Sequence, residues 1–75
     1  MSNRTAMLME ILDDGQRLQM DDGSIWMISP GDIPTVCTWI PTATVSIRES
    51  SGDRMFPYVL TNEGIDVSVN AMKVS

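Results

Sequence analysis

Turn-forming residues divide this chain into short segments, and that division constrains its fold more than any other feature. Clusters of Asp, Gly, Ser and Asn recur in the phrases LDDGQ, MDDGS, SSGD and NEG. They leave apolar runs spaced about 8 to 12 residues apart, too short for long helices. Several of these runs alternate between apolar and polar residues, as strands with one buried face do. The sequence therefore predicts five or six short strands in an antiparallel meander.

The second of these turns gives the strongest hairpin signal. Asp22 and Gly23 favour a tight turn between RLQM and SIWMIS because both turn positions tolerate a positive φ. The strand at 24–29 is apolar on both faces, which is typical of a strand covered on both sides. Trp26 lies at its centre, and we expect its ring to pack in the core.

Two other segments are less regular. TAMLMEIL, residues 5–12, contains good helix formers, but it leads directly into a turn, and the acidic residues at and just beyond its C-terminal end would oppose a helix dipole. We therefore predict a strand there. Prolines at 30, 34 and 41 predict an irregular connection that has room for one 3₁₀ turn. The apolar residues expected to pack it down are Val36, Trp39 and Ile40.

The C-terminal half returns to alternation. ATVSIRE, MFPYVLT and DVSVNAMKV are predicted strands, and Pro57 places the second of them at an edge or a bulge. Residues 1–75 then form one small all-β domain, for which a five- to six-stranded antiparallel SH3-like barrel is the leading fold. The alternatives are an OB-type barrel and a small sandwich. A barrel would also remove the exposed edges of an open sheet.

Residues 16 to 62 also carry a resemblance. LQMDDGSIWMISPGD, Trp39, Val45 and FPYVLTN resemble small uncharacterised bacterial all-β proteins with a DGSxW hairpin and a second tryptophan downstream. Those proteins have no assigned activity. The resemblance implies the β fold and implies nothing about chemistry.

Composition narrows the function classes. The chain has one cysteine and no histidine, so it can form neither an internal disulfide nor a Ser-His or Cys-His catalytic pair. Ten acidic residues against five basic ones give a net charge of −5, which disfavours nucleic acid and anionic membranes. No apolar run reaches the roughly 18 residues of a membrane span. We expect a cytoplasmic protein, unless a leader precedes this sequence.

The remaining reactive groups favour structural roles. Cys37 stands among apolar residues with no cation nearby to activate its thiol, and we expect it to be buried. The pairs Asp13-Asp14 and Asp21-Asp22 lack the ligand spacing of a calcium loop, and we interpret them as turn formers. We therefore predict no catalytic, cofactor-binding or metal-binding residues.

Two aromatic residues are the candidates for a binding face. Trp39 lies in a loop beside Pro41, and Tyr58 follows the edge-marking Pro57, where a partner strand or peptide could approach. The leading hypothesis is a non-enzymatic interaction module that binds a protein partner or a second copy of itself. The alternative is a small structural subunit of a larger assembly, including a virion component. An enzyme that uses carboxylates ranks below both.

Overall fold

Six segments in the described part of the chain form strands. The computed structural model describes residues 4–49 and 52–75. Its strands are β1 (Arg4–Leu12), β2 (Arg17–Met20), β3 (Ile25–Ile28), β4 (Thr44–Arg48), β5 (Tyr58–Asn62) and β6 (Val67–Lys73). The predicted strand at 5–12 is confirmed. Ser50 and Ser51, in the predicted SSGD turn, lie outside the described residues.

The strands close into a barrel in the order β1-β2-β3-β6-β5-β4, with β4 pairing back onto β1. Every neighbouring pair is antiparallel. The predicted small all-β antiparallel barrel is confirmed. It is not a single meander, however, because β1–β3 and β4–β6 form two separate meanders. Residues 29–43 link the two meanders, and we call them the crossover.

The crossover is more ordered than the prolines suggest. A 3₁₀ turn at Pro30–Asp32 leads into a four-residue helix, α1 (Ile33–Val36). Proline occupies an early position in both, where a missing N–H costs nothing. The Asp32 carboxylate accepts a hydrogen bond from the Asn70 N–H at 2.9 Å, which fastens the crossover to β6.

Strand alternation places one set of apolar residues inside the barrel. The core cluster comprises Leu8, Leu18, Met20, Trp26, Ile28, Val36, Trp39, Val45, Ile47, Leu60, Val69 and Ala71. Val36 and Trp39 come from the crossover and cover one open end of the barrel. Two expectations are wrong here, because Cys37 is exposed and Ile40 is 69% exposed. Ile40 lies on the outer side of a segment whose inner side is already filled by Val36 and Trp39. Cys37 is directed at the first turn instead, where its thiol donates a hydrogen bond to the Asp14 carbonyl at 3.2 Å.

Closure of the barrel also changes the predicted role of Pro57. Every strand is hydrogen-bonded on both sides, so β5 is not an edge. Pro57 lies immediately before β5 begins at Tyr58, where its missing N–H costs no strand pairing. The expectation of an edge at Pro57 is therefore wrong.

Candidate functional site

Trp26 is a core residue, as the sequence predicts. Its side chain is fully buried, and its indole N–H donates a hydrogen bond to the Ser24 hydroxyl at 2.9 Å. The ring of Tyr58 meets it edge-on, with centroids 5.0 Å apart and planes at 71°. This is a favourable aromatic geometry. Trp26 therefore holds the barrel together and offers no surface to a partner.

The Ser24 hydroxyl connects this ring to the β2–β3 turn. It donates to Asp22 Oδ1 at 2.6 Å, and the Ser24 N–H donates to the same oxygen at 2.9 Å. These hydrogen bonds, with a smaller contribution from the Arg4 guanidinium, hold the pKa of Asp22 below its usual range. The turn is a three-residue loop in which Gly23 has a positive φ of 89° and Asp22 does not. The predicted turn position is right, but its two-residue form is not.

The structure does not bring Trp39 and Tyr58 together. Tyr58 is half-buried, is paired with Ala71 and packs on Trp26, at the end of the barrel opposite the crossover. Trp39 is only 3% exposed. The exposed aromatic face expected from these two residues is therefore absent, because Trp39 closes the barrel and the edge imagined beside Tyr58 is paired.

The surface beside Trp39 nevertheless forms an open groove. Its apolar lining comes from Trp39, Ile40, Ala43 and Ile65, and its volume is about 580 Å³. Ile40 is 69% exposed and Ile65 is 54% exposed, and the two lie on different segments of the chain. We call this depression the crossover groove. Sequence reasoning missed it, because Ile40 was expected to pack inward and Ile65, between the NEG turn and the last predicted strand, was given no role.

The Ile65 side of the groove is built by a buried amide. Asn62, the last residue of β5, is 4% exposed. Its side-chain oxygen accepts from the Gly64 N–H at 3.0 Å. Its backbone carbonyl accepts from the N–H groups of Ile65 and Asp66 at 3.3 and 2.8 Å. These bonds fix the turn that presents Ile65 to solvent.

The other side of the groove is fixed by backbone hydrogen bonds. The Trp39 N–H donates to the Val36 carbonyl at 2.9 Å, which continues the winding of α1. The Thr42 N–H donates to the Leu8 carbonyl at 2.7 Å, which joins this loop to β1. Thr42 has a φ of 75°, a left-handed conformation in which a β-branched residue is strained. The groove thus stands on an ordered framework.

The charges are distributed unequally between the two ends of the barrel. Because strand directions alternate, three connections meet at the crossover end: residues 13–16, 29–43 and 63–66. These fully described connections contain five carboxylates and no lysine or arginine: Asp13, Asp14, Asp32, Glu63 and Asp66. The nearest strand-end cation, Arg17, is already bound to Asp13 at 2.7 Å.

The opposite end has a balanced charge. It contains the strand-end cations Arg4, Arg48 and Lys73 and the loop cation Arg54, against Asp21, Asp22, Glu49 and Asp53. Arg4 lies 3.9 Å from Asp22 and also stacks over Trp26 at 5.9 Å. Cations that are scattered in sequence therefore converge in the fold, but beside an equal number of acids. Of the net charge of −5, four units therefore lie at the crossover end, where Arg17 offsets one of the five carboxylates, and the fifth is Glu10 in β1.

A second depression of about 580 Å³ lies on the outer face of four strands. Thr5, Ser46, Thr61 and Ser68 occupy directly facing positions on β1, β4, β5 and β6. The Thr61 and Ser68 hydroxyls bond each other at 2.8 Å. Two arginines, Arg4 and Arg48, and two carboxylates, Glu63 and Asp66, line the same depression. It is a mixed polar surface that offers no apolar anchor point.

Among the described residues, no group of three or more Cys, Asp or Glu side chains is placed to hold a metal ion, and no helix is long and apolar enough to cross a membrane. Comparison with protein families, curated proteins and solved structures found no match. The resemblance to the small bacterial DGSxW proteins stays a prediction.

Proposed function

We propose that this protein is a non-enzymatic interaction module that binds a protein partner at the crossover groove. The observation that carries the proposal is the pair of exposed isoleucines, Ile40 and Ile65, on either side of an apolar groove floored by Trp39. Single exposed apolar residues are common on protein surfaces. Two that flank one concave apolar surface are typical of a place where a partner inserts an anchor side chain.

The rigidity of the groove supports the same function. The Asn62 side chain and the carbonyls of Val36 and Leu8 hold both walls in place before any partner arrives. A preformed surface loses little conformational entropy when it binds, so more of the contact free energy appears as affinity. Trp39 contributes by filling the space beneath the groove rather than by projecting from it.

Charge and chemistry disfavour the other function classes. A chain without histidine and with a single, exposed cysteine has few ways to activate a nucleophile. The carboxylates of the crossover end repel nucleic-acid phosphates and anionic lipid headgroups from this groove. A protein surface is the ligand that suits an apolar groove with an acidic border.

A peptide-display selection tests the function. A random peptide library is selected on the wild-type protein, and the recovered peptides are measured against Ile65→Ser and Ile40→Ser. Val74→Ser is the matched control, because Val74 is 46% exposed and lies outside the groove. We expect affinity to fall about tenfold for each groove variant, as loss of one buried anchor contact does, and to be unchanged for the control. Recovery of no peptides, or of peptides insensitive to both groove variants, would overturn the proposal.

A further inference from the structure

The border of the crossover groove has a definite electrostatic sign. Glu63 lines the groove and is exposed, and Asp66 follows Ile65 in the same exposed turn. Among the residues that the structure describes, no lysine or arginine lines the groove. The other carboxylates of the crossover end, Asp13, Asp14 and Asp32, add to its negative charge, and Arg17 pairs with Asp13. Glu63 and Asp66 also line the neighbouring polar depression, which contains Arg4 and Arg48.

This sign disfavours a second copy of the chain as the occupant. A symmetric contact between two crossover ends would bring five carboxylates against five across one interface. A head-to-tail contact would use the opposite end, where four cations already accompany four carboxylates. Neither arrangement neutralises the groove border. A partner that brings its own positive charge does so directly.

Resting on the function proposed above, we propose that the groove binds a cationic segment of a partner protein, in which an apolar anchor is flanked by lysine or arginine. The anchor packs between Ile40 and Ile65 above Trp39, and the flanking cations lie near Glu63 and Asp66. The Debye length at physiological salt is about 8 Å, so only charges close to the border contribute strongly. Specificity then depends on both parts of the segment, the anchor and its flanks.

Three synthetic peptides test this inference. Each has the same central Phe-Leu anchor and blocked ends, and they differ in carrying two lysines, two glutamines or two glutamates on each side. Binding is followed by the ¹H–¹⁵N signals of the Ile65 amide and of the Trp39 indole. We expect the lysine peptide to bind about tenfold tighter than the glutamine peptide at low salt, and this difference to shrink as salt is raised. The glutamate peptide should bind weakest.

Paired variants separate the border charge from the overall charge. Glu63→Gln and Glu49→Gln remove the same charge from opposite ends of the barrel. Glu63→Gln should reduce the preference for lysine flanks several-fold, and Glu49→Gln should leave it nearly unchanged. A lysine peptide with glycines in place of the anchor should not shift the Ile65 signal. If it does, or if Glu49→Gln acts as strongly as Glu63→Gln, then binding is nonspecific charge attraction and the inference fails.

The outcomes distinguish the inference from the function on which it rests. If lysine and glutamine peptides bind the groove equally and Ile65→Ser weakens both, the function stands and the cationic partner is wrong. If no peptide shifts the groove signals in an Ile65-dependent way, the function itself fails. If the protein alone forms a concentration-dependent dimer in sedimentation, and Ile65→Ser abolishes it, the occupant is a second copy and the inference is overturned.

Discussion

At the scale of single residues, the two tryptophans differ in their hydrogen bonding more than in their burial. Trp26 donates its indole N–H to the Ser24 hydroxyl, whereas the buried N–H of Trp39 has no acceptor among the described residues. An unsatisfied buried donor costs about 1–3 kcal/mol of stability. A phenylalanine ring at position 39 would avoid that cost.

This contrast predicts different costs for the same substitution at two positions. Trp26→Phe removes an indole N–H that is hydrogen-bonded and leaves the Ser24 hydroxyl without this donor. Trp39→Phe removes an indole N–H that has no acceptor among the described residues. Both changes remove similar volume. In urea unfolding, we expect Trp39→Phe to be less destabilising than Trp26→Phe by about 1 kcal/mol or more. An equal or larger cost at Trp39 would contradict this difference.

Asp22 predicts a stability change in acid. Hydrogen bonds from Ser24 lower the pKa of Asp22 in the folded state. The stabilisation is therefore present above the unfolded pKa of about 3.9 and is lost as the pH falls through the lower folded pKa. In urea unfolding at a series of pH values, the difference in unfolding free energy between wild type and Asp22→Asn should therefore become smaller below pH 4. The effect is small because Asp22 is exposed and solvent screens its charge.

Ser24→Ala provides the check on that cause. The Ser24 hydroxyl makes the largest contribution to the lowered pKa of Asp22. Its removal should reduce the pH dependence of the unfolding free energy in the same range. It should also lower stability at every pH, because the Trp26 indole N–H loses its acceptor. If the acid dependence of Ser24→Ala matches that of wild type, another group is responsible.

At the scale of elements, the strands were predictable and the groove was not. Leu18, Met20, Val45, Ile47 and Val69 alternate with polar residues, and a period of two has one structural meaning in so short a chain. The groove depends instead on which side of a nonperiodic segment faces inward. Val36 and Trp39 face inward, so Ile40 faces solvent. No local pattern in TVCTWIP predicts which of these side chains faces the core.

The strand pairing between the two halves of the chain could not be predicted from the sequence either. Hairpins join β1 to β2 and β5 to β6, and their turns are visible in the sequence. The pairs β1–β4 and β3–β6 join strands from different halves of the chain, and their registers are set by tertiary packing. The expected meander therefore gave the correct strands in an incorrect order. The same limit placed Tyr58 at an edge that closure removes.

Gly15 tests how the first turn docks against the crossover. Its φ is 99°, and a Cβ there would lie 2.6 Å from Cys37 Sγ and 3.2 Å from Ile33 Cγ2. Gly23 also has a positive φ, of 89°, but a Cβ there would meet no atom within 4 Å. Both alanine variants carry backbone strain of about 1–2 kcal/mol. Gly15→Ala should cost about 1–3 kcal/mol more, because it also overpacks the contact.

A double substitution identifies the crowded atom. Cys37→Ala removes the sulfur that a Cβ on Gly15 would strike, so it should recover part of the loss caused by Gly15→Ala in thermal melts. It should recover nothing for Gly23→Ala. If the recovery is equal in the two backgrounds, the cost of Gly15→Ala comes from the backbone alone.

At the scale of the whole molecule, the carboxylates are concentrated at one end of the barrel and most of the cations lie at the other, and this distribution bears on which partners can approach. The crossover end is acidic, and the opposite end pairs each sign with the other. We expect no binding to a short DNA duplex in fluorescence anisotropy at about 150 mM salt, because neither end presents unopposed cations to phosphate. A salt-sensitive rise in anisotropy at micromolar protein would show that Arg4, Arg48 and Lys73 act as a basic surface despite their acidic neighbours.

The two strand pairs that join the halves, β1–β4 and β3–β6, are seams that can also form between two chains when the protein folds at high concentration. The crossover is the single covalent connection between one three-stranded half and the other. If it extends, the first half of one chain can pair with the second half of its neighbour through the same seams, giving a domain-swapped dimer. In such a dimer every strand keeps its native pairing, but the loop that bears Ile40 becomes a hinge. Refolding at high protein concentration would therefore replace the crossover groove with an intertwined dimer that retains the β-sheet spectrum of the monomer.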